Sequence, residues 1–224
     1  MNKNLMNKNL IDLHMHSFFS DGVLLPAEIV QRARDIGFSA IAITDHIDFS
    51  NIDFVVDSIV KAADNLNTSD LIVIPGVEIT HVIPEDIKRL AEKARTRGAK
   101  LIVVHGETIV EPVPKNTNRK ALEANIDILA HPGLISEADV KLAKEKDICL
   151  EITTRKGHSL TNGHVAKLAQ KLGAKLVINT DSHRPQDLGS LKKFIAVARG
   201  AGLEEEEVSS LFENSYNLVQ KIIK

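Results

Sequence analysis

The stretch IDLHMHSFFSDG, Ile11 to Gly22, sets two imidazoles one residue apart and follows them with a carboxylate. In an extended strand, side chains two apart point the same way, so His14 and His16 can grip one ion. Asp181 and His183, in NTDSH, repeat that spacing far along the chain. Between them come His46, Glu78, His105 and His131, each at the polar end of a short apolar run, while Asp21 lies in the first loop. These nine residues are six imidazoles and three carboxylates, with no thiolate. One catalytic zinc takes about three or four protein ligands, so the inventory points to two or three divalent ions. An N/O donor set suits Zn, Mn or Fe(II) and does not choose among them. A lone histidine of this kind is ordinarily a hydrogen-bonded structural residue. Nine imidazoles and carboxylates buried together would be costly, and metal is the simplest compensation.

Three divalent ions would bring about +6 against about −3 from Asp21, Glu78 and Asp181, which favours an anionic substrate. Phosphate esters are the obvious class, because clustered cations clamp non-bridging oxygens and activate water together. The loop TTRKGHSLTNGH offers Arg155 and Lys156 to substrate phosphate and His158 to protonate the leaving group. Arg184, beside His183, is a further phosphate contact. For all four, solvated loop charge or capping is the plain alternative. Glu107 falls two residues after His105, as a supporting group or an ordinary rim residue, and Asp48 fits turn formation. His81 and His164 fall outside the pattern and read as surface or capping positions. Lys115 and Arg119 flank a loop with Pro112 and Pro114, read as a charged surface loop rather than a flap over substrate.

Positioning such residues requires elements that converge. Seven runs rich in Ile, Val or Leu have strand length: NLIDLHMHS, AIAITDH, LIVIPGVEIT, KLIVVHGE, IDILAHPG, ICLEITT and KLVINTDSH. Helical segments alternate with them, punctuated by Pro26 and Gly37, by Gly98, by Ser136 as a cap and by Gly173. LEEEEVSSLFENSYNLVQKIIK reads as a terminal helix whose acidic start suits the positive end of its dipole. Alternation of this kind means parallel strands with helical crossovers. The C-terminal strand ends then form one rim, where sites are built. We expect a single α/β domain over residues 1–224, barrel or open sheet, with residues 1–9 a poorly structured tail.

Composition adds limits. Of 224 residues, 43% are hydrophobic and 26% charged, ordinary for a soluble globular chain. A net charge of −2 supplies no basic field for nucleic acid. Cys149 is the single cysteine, so no intramolecular disulfide forms, which fits a reducing cytoplasm. No apolar run reaches the ~18 residues of a membrane span.

From about Leu10 to His183, the ordered set DLHMHSFFSDG, ITDH, PGVEIT, VVHGE, ILAHPG, LEI and NTDSH resembles the PHP family, named for polymerase and histidinol phosphatase. The resemblance implies a distorted (β/α)7 barrel with a trinuclear metal site. By motif, His14, His16, Glu78 and Asp181 would bind the first ion. Glu78 would bridge to a second held by His105 and His131, and Asp21, His46 and His183 would hold the third. Glu78 and Asp181 thereby become catalytic as well as ligating. Only 26 residues separate Glu78 from His105, too few for the lid domain of some members. The chain therefore resembles the stand-alone, histidinol-phosphatase-like branch. The implied activity is hydrolysis of a small phosphomonoester by metal-activated hydroxide attack on phosphorus. A nuclease or nucleotide phosphodiesterase using the same ions is the second reading. It would call for a basic track or stacking aromatics, and the chain has one Tyr, no Trp and seven Phe. A non-catalytic binding subunit is the third, weighed down by retention of all nine ligands.

Overall fold

The computed structural model describes residues 10–224, so the tail expected over residues 1–9 lies outside the described residues. The strands are β1 (Ile11–Met15), β2 (Ala40–Ile43), the two-residue β3 (His46–Ile47), β4 (Ile72–Ile79), β5 (Leu101–His105), β6 (Ile128–Ala130), β7 (Cys149–Thr153) and β8 (Leu176–Asn179). All pair in parallel, in the order β1-β2-β4-β5-β6-β7-β8, with β3 beside β4. The seven apolar runs thus become the staves of a nearly closed barrel, and β3 continues the second run after a break at Thr44–Asp45. The helices are α1 (Pro26–Ile36), α2 (Ile52–Leu66), α3 (Ile87–Thr96), α4 (Thr117–Glu123), α5 (Glu137–Glu145), α6 (Asn162–Leu172), α7 (Leu191–Gly200) and α8 (Glu205–Ile222). No described helix is long and apolar enough to cross a membrane.

The helix punctuation behaves as its chemistry requires. Pro26 opens α1, and Gly37 closes it in the left-handed region at φ 92°. The Ser136 hydroxyl accepts from the Asp139 N–H at the start of α5. Glu204 and Glu207 form a capping box that uses the acidic run to begin α8. Arg119 stands in α4, where its guanidinium meets Asp139 at 2.8 Å, so that segment is helix rather than loop.

Strand alternation divides the core in two. Leu101 and Val103 of β5, Ile128 and Ala130 of β6, and Val177 of β8 face the barrel interior, where Leu218 and Val219 of α8 join them. The intervening Ile102, Val104, Leu129 and Ile178 face the surrounding helices. Each fully buried aliphatic side chain contributes about 1.5–3 kcal/mol. The same two-residue period fixes which polar residues point inward at the far end of each strand.

β1 breaks the period next to two candidate ligands. Its register against β2 runs Ile11 to Ala40 and Asp12 to Ile41, then Met15 to Ile43, so β1 carries an extra residue. Ile11 and Leu13 belong to the inner cluster, whereas Met15 belongs to the outer one. The bulge reverses the alternation and turns both His14 and His16 inward.

Candidate metal centre

At the C-terminal mouth of the barrel, all nine residues named above converge. Parity alone brings Glu78 and His105 inward, continuing Ile74 and Val103. His131 follows the inward Ala130 directly. It reaches the mouth because its backbone turns to φ 27°, and Asp181 also has a positive φ of 52°. Such values are costly for non-glycine residues and persist where surroundings enforce them.

Glu78 sits at the centre. Its Oε2 is 3.3 Å from His14 Nε2, 3.5 Å from His16 Nε2 and 2.8 Å from His46 Nδ1, and its Oε1 is 3.5 Å from His131 Nε2. Asp181 lies 3.4 Å from His16 Nε2 and 3.6 Å from His131 Nε2. Asp21 reaches over from the first loop, 3.1 Å from His183 Nε2 and 3.5 Å from His46 Nε2.

These distances are short, yet the geometry is not that of a hydrogen-bonded network. Buried and without a hydrogen-bond partner are His14 Nε2, both ring nitrogens of His16, both oxygens of Glu78 and His131 Nδ1. Leaving so many buried polar atoms unsatisfied would cost about 1–3 kcal/mol each. Donors of this type, facing one another at ligand-to-ligand spacing, fit divalent cations. His14, His16 and Glu78 form one such set, His14, His131 and Asp181 a second, and His16, Asp21, His46 and His183 a third, with ligand atoms all within 4.8 Å of one another in each.

On the remaining wall the arrangement is wider than the sequence suggested. His105 and His131 group with His158, and His105 also groups with His81 and Glu111. Glu111 spans these imidazoles, with Oε2 3.1 Å from His105 Nε2 and 3.4 Å from His81, and Oε1 3.4 Å from His158. The hydrogen bond to His105 holds the Glu111 carboxyl at about 2 despite partial burial. His158 Nδ1 pairs with Thr108 Oγ1 at 2.8 Å, which leaves Nε2 for the mouth. Burial, then the neighbouring His131 charge, pushes His158 down to about 3. Its imidazole is therefore neutral and ligand-competent. His81, expected at an unrelated surface, belongs to this rim. His164 lies apart, bonded to the Ile135 carbonyl as a structural group.

A layer of supporting residues escaped the sequence reading. Glu151 Oε1 takes His14 Nδ1 at 2.8 Å, and its Oε2 accepts the His131 N–H at 3.2 Å. Asn179 Nδ2 donates to Glu151 at 2.9 Å, while its Oδ1 accepts the Leu13 N–H at 2.8 Å. The signal was present: Glu151 is an acid inside the apolar run ICLEITT. Asp45 gathers the Ser17 and Ser20 N–H groups and both hydroxyls, at 2.6–3.1 Å, and so shapes the loop that carries Asp21. Gly22 ends that loop because a Cβ there would lie 2.3 Å from the His16 carbonyl oxygen. Burial opposes charging of His14, but Glu151, Glu78 and Asp181 outweigh it and hold the imidazole well above its usual value.

Other candidates divide. Arg155 lies at the mouth, its Nε 3.8 Å from Asp181 Oδ2 and its Nη1 3.3 Å from Asp187. Lys156 and Arg184 line a neighbouring cavity. Glu107 accepts the Asn118 N–H at 3.0 Å and donates its own N–H to Asn118 Oδ1, fastening the start of α4. Asp48 accepts from Ser50, a turn role. Lys115 takes no part in the mouth.

The profile of the PHP domain matches residues 12–171, and the chain belongs to this family. An uncharacterized protein of Methanocaldococcus jannaschii is 48% identical over 202 residues, covering 89% of this chain and 93% of that one. A ribonuclease P protein component 3 of Methanosarcina barkeri is 28% identical, covering 84% and 79%. A probable phosphatase of Clostridium acetobutylicum is 26% identical, covering 83% and 84%. Among solved structures, histidinol phosphate phosphatase of Lactococcus lactis, complexed with zinc, L-histidinol and phosphate, is similar in fold. Its TM-score is 0.60 at 18% identity, covering 88% of this chain and 95% of that one.

Proposed function

We propose that this protein is a metal-dependent phosphoesterase that hydrolyses small phosphomonoesters. The observation that carries the reading is the set of buried, unpartnered His14, His16, Glu78 and His131 atoms facing Asp181 at the barrel mouth. The zinc and phosphate described for the Lactococcus lactis protein support it, as does the probable phosphatase among the relatives.

His14, His16, Glu78 and Asp181 would hold the first ion. His105 and His131, with Glu78 reaching across, would hold the second, and Asp21, His46 and His183 the third. Bound divalent ions there would polarise phosphate oxygens and make water nucleophilic at neutral pH. The chain's own groups do the rest. Glu151 and Asn179 fix the tautomer of His14, so that Nε2 faces the mouth. Arg155 presents a guanidinium to the phosphate edge, stabilising charge as it develops. We assign His158 to the ligand wall beside His105 and His131 rather than to protonation of the leaving group, because one ring nitrogen of each of the three lies within 4.8 Å of the others. Among the described residues, no side chain is placed as a covalent nucleophile, so direct attack of water on phosphorus, with inversion of configuration in a single turnover, is the expected course.

A second reading, an RNA-processing or RNA-bound protein, is favoured by the ribonuclease P protein component 3 relatives, and the chain also shares its fold, with a TM-score of 0.70 at 18% identity, with a chain of archaeal ribonuclease P solved with mature tRNA. The test is metal analysis of the purified protein followed by a phosphomonoester panel run beside single-stranded RNA and DNA. Turnover of monoesters with inversion is expected. Turnover of polymer without monoesters overturns the proposal in favour of the nuclease, and inactivity on both favours a binding subunit.

A further inference from the structure

A second cavity adjoins the metal mouth. The mouth holds about 260 Å³ and is walled by Asp21, Arg155 and His183 on one side. Beyond the same three residues lies a larger cavity of about 480 Å³, completed by Val23, Thr154, Lys156, Thr180, Arg184, Asp187 and Lys193. A group leaving phosphorus in the mouth therefore has free space on this side.

The chemistry of that space is cationic. Among the described residues lining it, Arg155, Lys156, Arg184 and Lys193 meet two carboxylates, Asp21 and Asp187, and Arg155 also lies 3.8 Å from Asp181 in the mouth. Both lining acids have partners of their own. Asp21 is 3.1 Å from His183 Nε2. Asp187 accepts the backbone N–H groups of His183 and Arg184, at 3.1 and 3.0 Å, and faces Arg155. Lys193, half-buried, donates to the Asp187 carbonyl at 2.9 Å and so keeps its charge uncompensated. Among the described residues, no acid pairs with Lys156 or Arg184. Uncompensated cations around one cavity are what an anion would satisfy.

The geometry points to a second anion subsite: the substrate carries, besides the phosphate cleaved at the metals, another phosphate or carboxylate on its leaving group, held by Lys156, Arg184 and Lys193. This rests on the phosphomonoesterase reading and narrows its substrate class to doubly anionic small molecules. The cleaved bond is unchanged. Water adds to the first phosphorus, the ester oxygen leaves with a proton, and the second anionic group stays attached to the departing alcohol.

Two measurements test it. The metal-loaded enzyme is assayed on pairs that differ by one anionic group: fructose 6-phosphate against fructose 1,6-bisphosphate for a second phosphate, and glycerol 3-phosphate against 3-phosphoglycerate for a carboxylate. At least one pair should favour the doubly anionic member by about tenfold or more in kcat/KM, since charge-assisted contacts of this kind carry such weight. Lys193→Ala should pull that ratio toward one, and Lys193→Arg should restore it. Separately, inorganic phosphate is titrated calorimetrically into metal-free protein. One site is expected in the wild type, lost in the Arg184→Ala/Lys193→Ala variant. Ratios near one in both pairs overturn the subsite while monoester turnover leaves the phosphatase reading standing. If no monoester is turned over, that reading fails, and the calorimetry still decides the subsite: no phosphate bound, or binding unchanged in the variant, overturns it.

Discussion

His14 Nδ1 lies 2.8 Å from Glu151 Oε1, both fully buried, so the first histidine of the motif is oriented by an acid on β7, two staves away past β8. The pair makes Nε2 the free nitrogen. Glutamine at 151 could present an amide N–H to Nδ1 and so favour the tautomer with a proton on Nε2. We expect Glu151→Gln to weaken metal binding about 10–100-fold while circular dichroism stays native. Chelator competition measures the affinity, and unchanged affinity would mean that Glu151 serves only packing.

Glu78 should be the least replaceable residue, because its two oxygens face four imidazoles. Glu78→Gln is expected to lower the bound metal by at least one ion and to reduce kcat/KM about a thousandfold or more, by analogy with loss of a group active in the transition state. Treating the wild type with chelator should produce the same loss, reversed by adding Zn, Mn or Fe(II). Native mass spectrometry reads the stoichiometry directly.

Glu111 reaches the ion wall from an exposed loop. Its carboxylate touches three imidazoles, so Glu111→Ala should weaken one ion selectively and leave the others tightly held. Stepwise metal titration followed by native mass spectrometry would reveal this as a single lowered step. Uniform weakening of all steps would argue against it.

Asp45 is expected to matter through the loop it organises rather than through any ion. Removing four hydrogen bonds to Ser17 and Ser20 should cost about 2–3 kcal/mol, seen as a lower Tm in metal-free protein. Ion binding at Asp21, His46 and His183 should weaken further than at His14 and Glu78.

Cys149 is buried at the opposite, N-terminal end of β7, and burial pushes its thiol up to about 12. At pH 8 the thiolate fraction is then roughly 10⁻⁴, so the native protein should resist thiol reagents and the unfolded chain react once. Between the ordinary thiol value and about 12, the unfolded chain releases a proton that the folded one keeps. Stability should therefore fall as pH rises through that window, and Cys149→Ala should flatten the slope.

Much of the barrel was legible because buried parallel strands write themselves as short apolar runs, and each of the seven became a stave. The candidate ligands were legible as a group because six of the seven runs end in residues able to bind metal, and the barrel brings those ends to one mouth. What stayed hidden depends on contacts between distant strands. The bulge in β1 is invisible in IDLHM, since it exists only as register against Ala40–Ile43. Glu151 and Asp45 hide within apolar or motif stretches, and their partners are separated from them by 137 and 28 residues. His81 and Glu111 reach the rim on loops, whose paths no periodicity encodes.

The barrel closes at a weak seam. Between β1 and β8 the backbone ladder shrinks to one bridge, Met15 to Ser182, helped by Asp12 with Thr180 and by Leu13 with Asn179. Yet His14 and His16 stand on one lip of that gap and Asp181 and His183 on the other. Cations gripped by all four would rivet the first stave to the last. Loading the centre should thus slow amide exchange along both edges first, making the candidate metal centre the clasp that keeps the hoop shut.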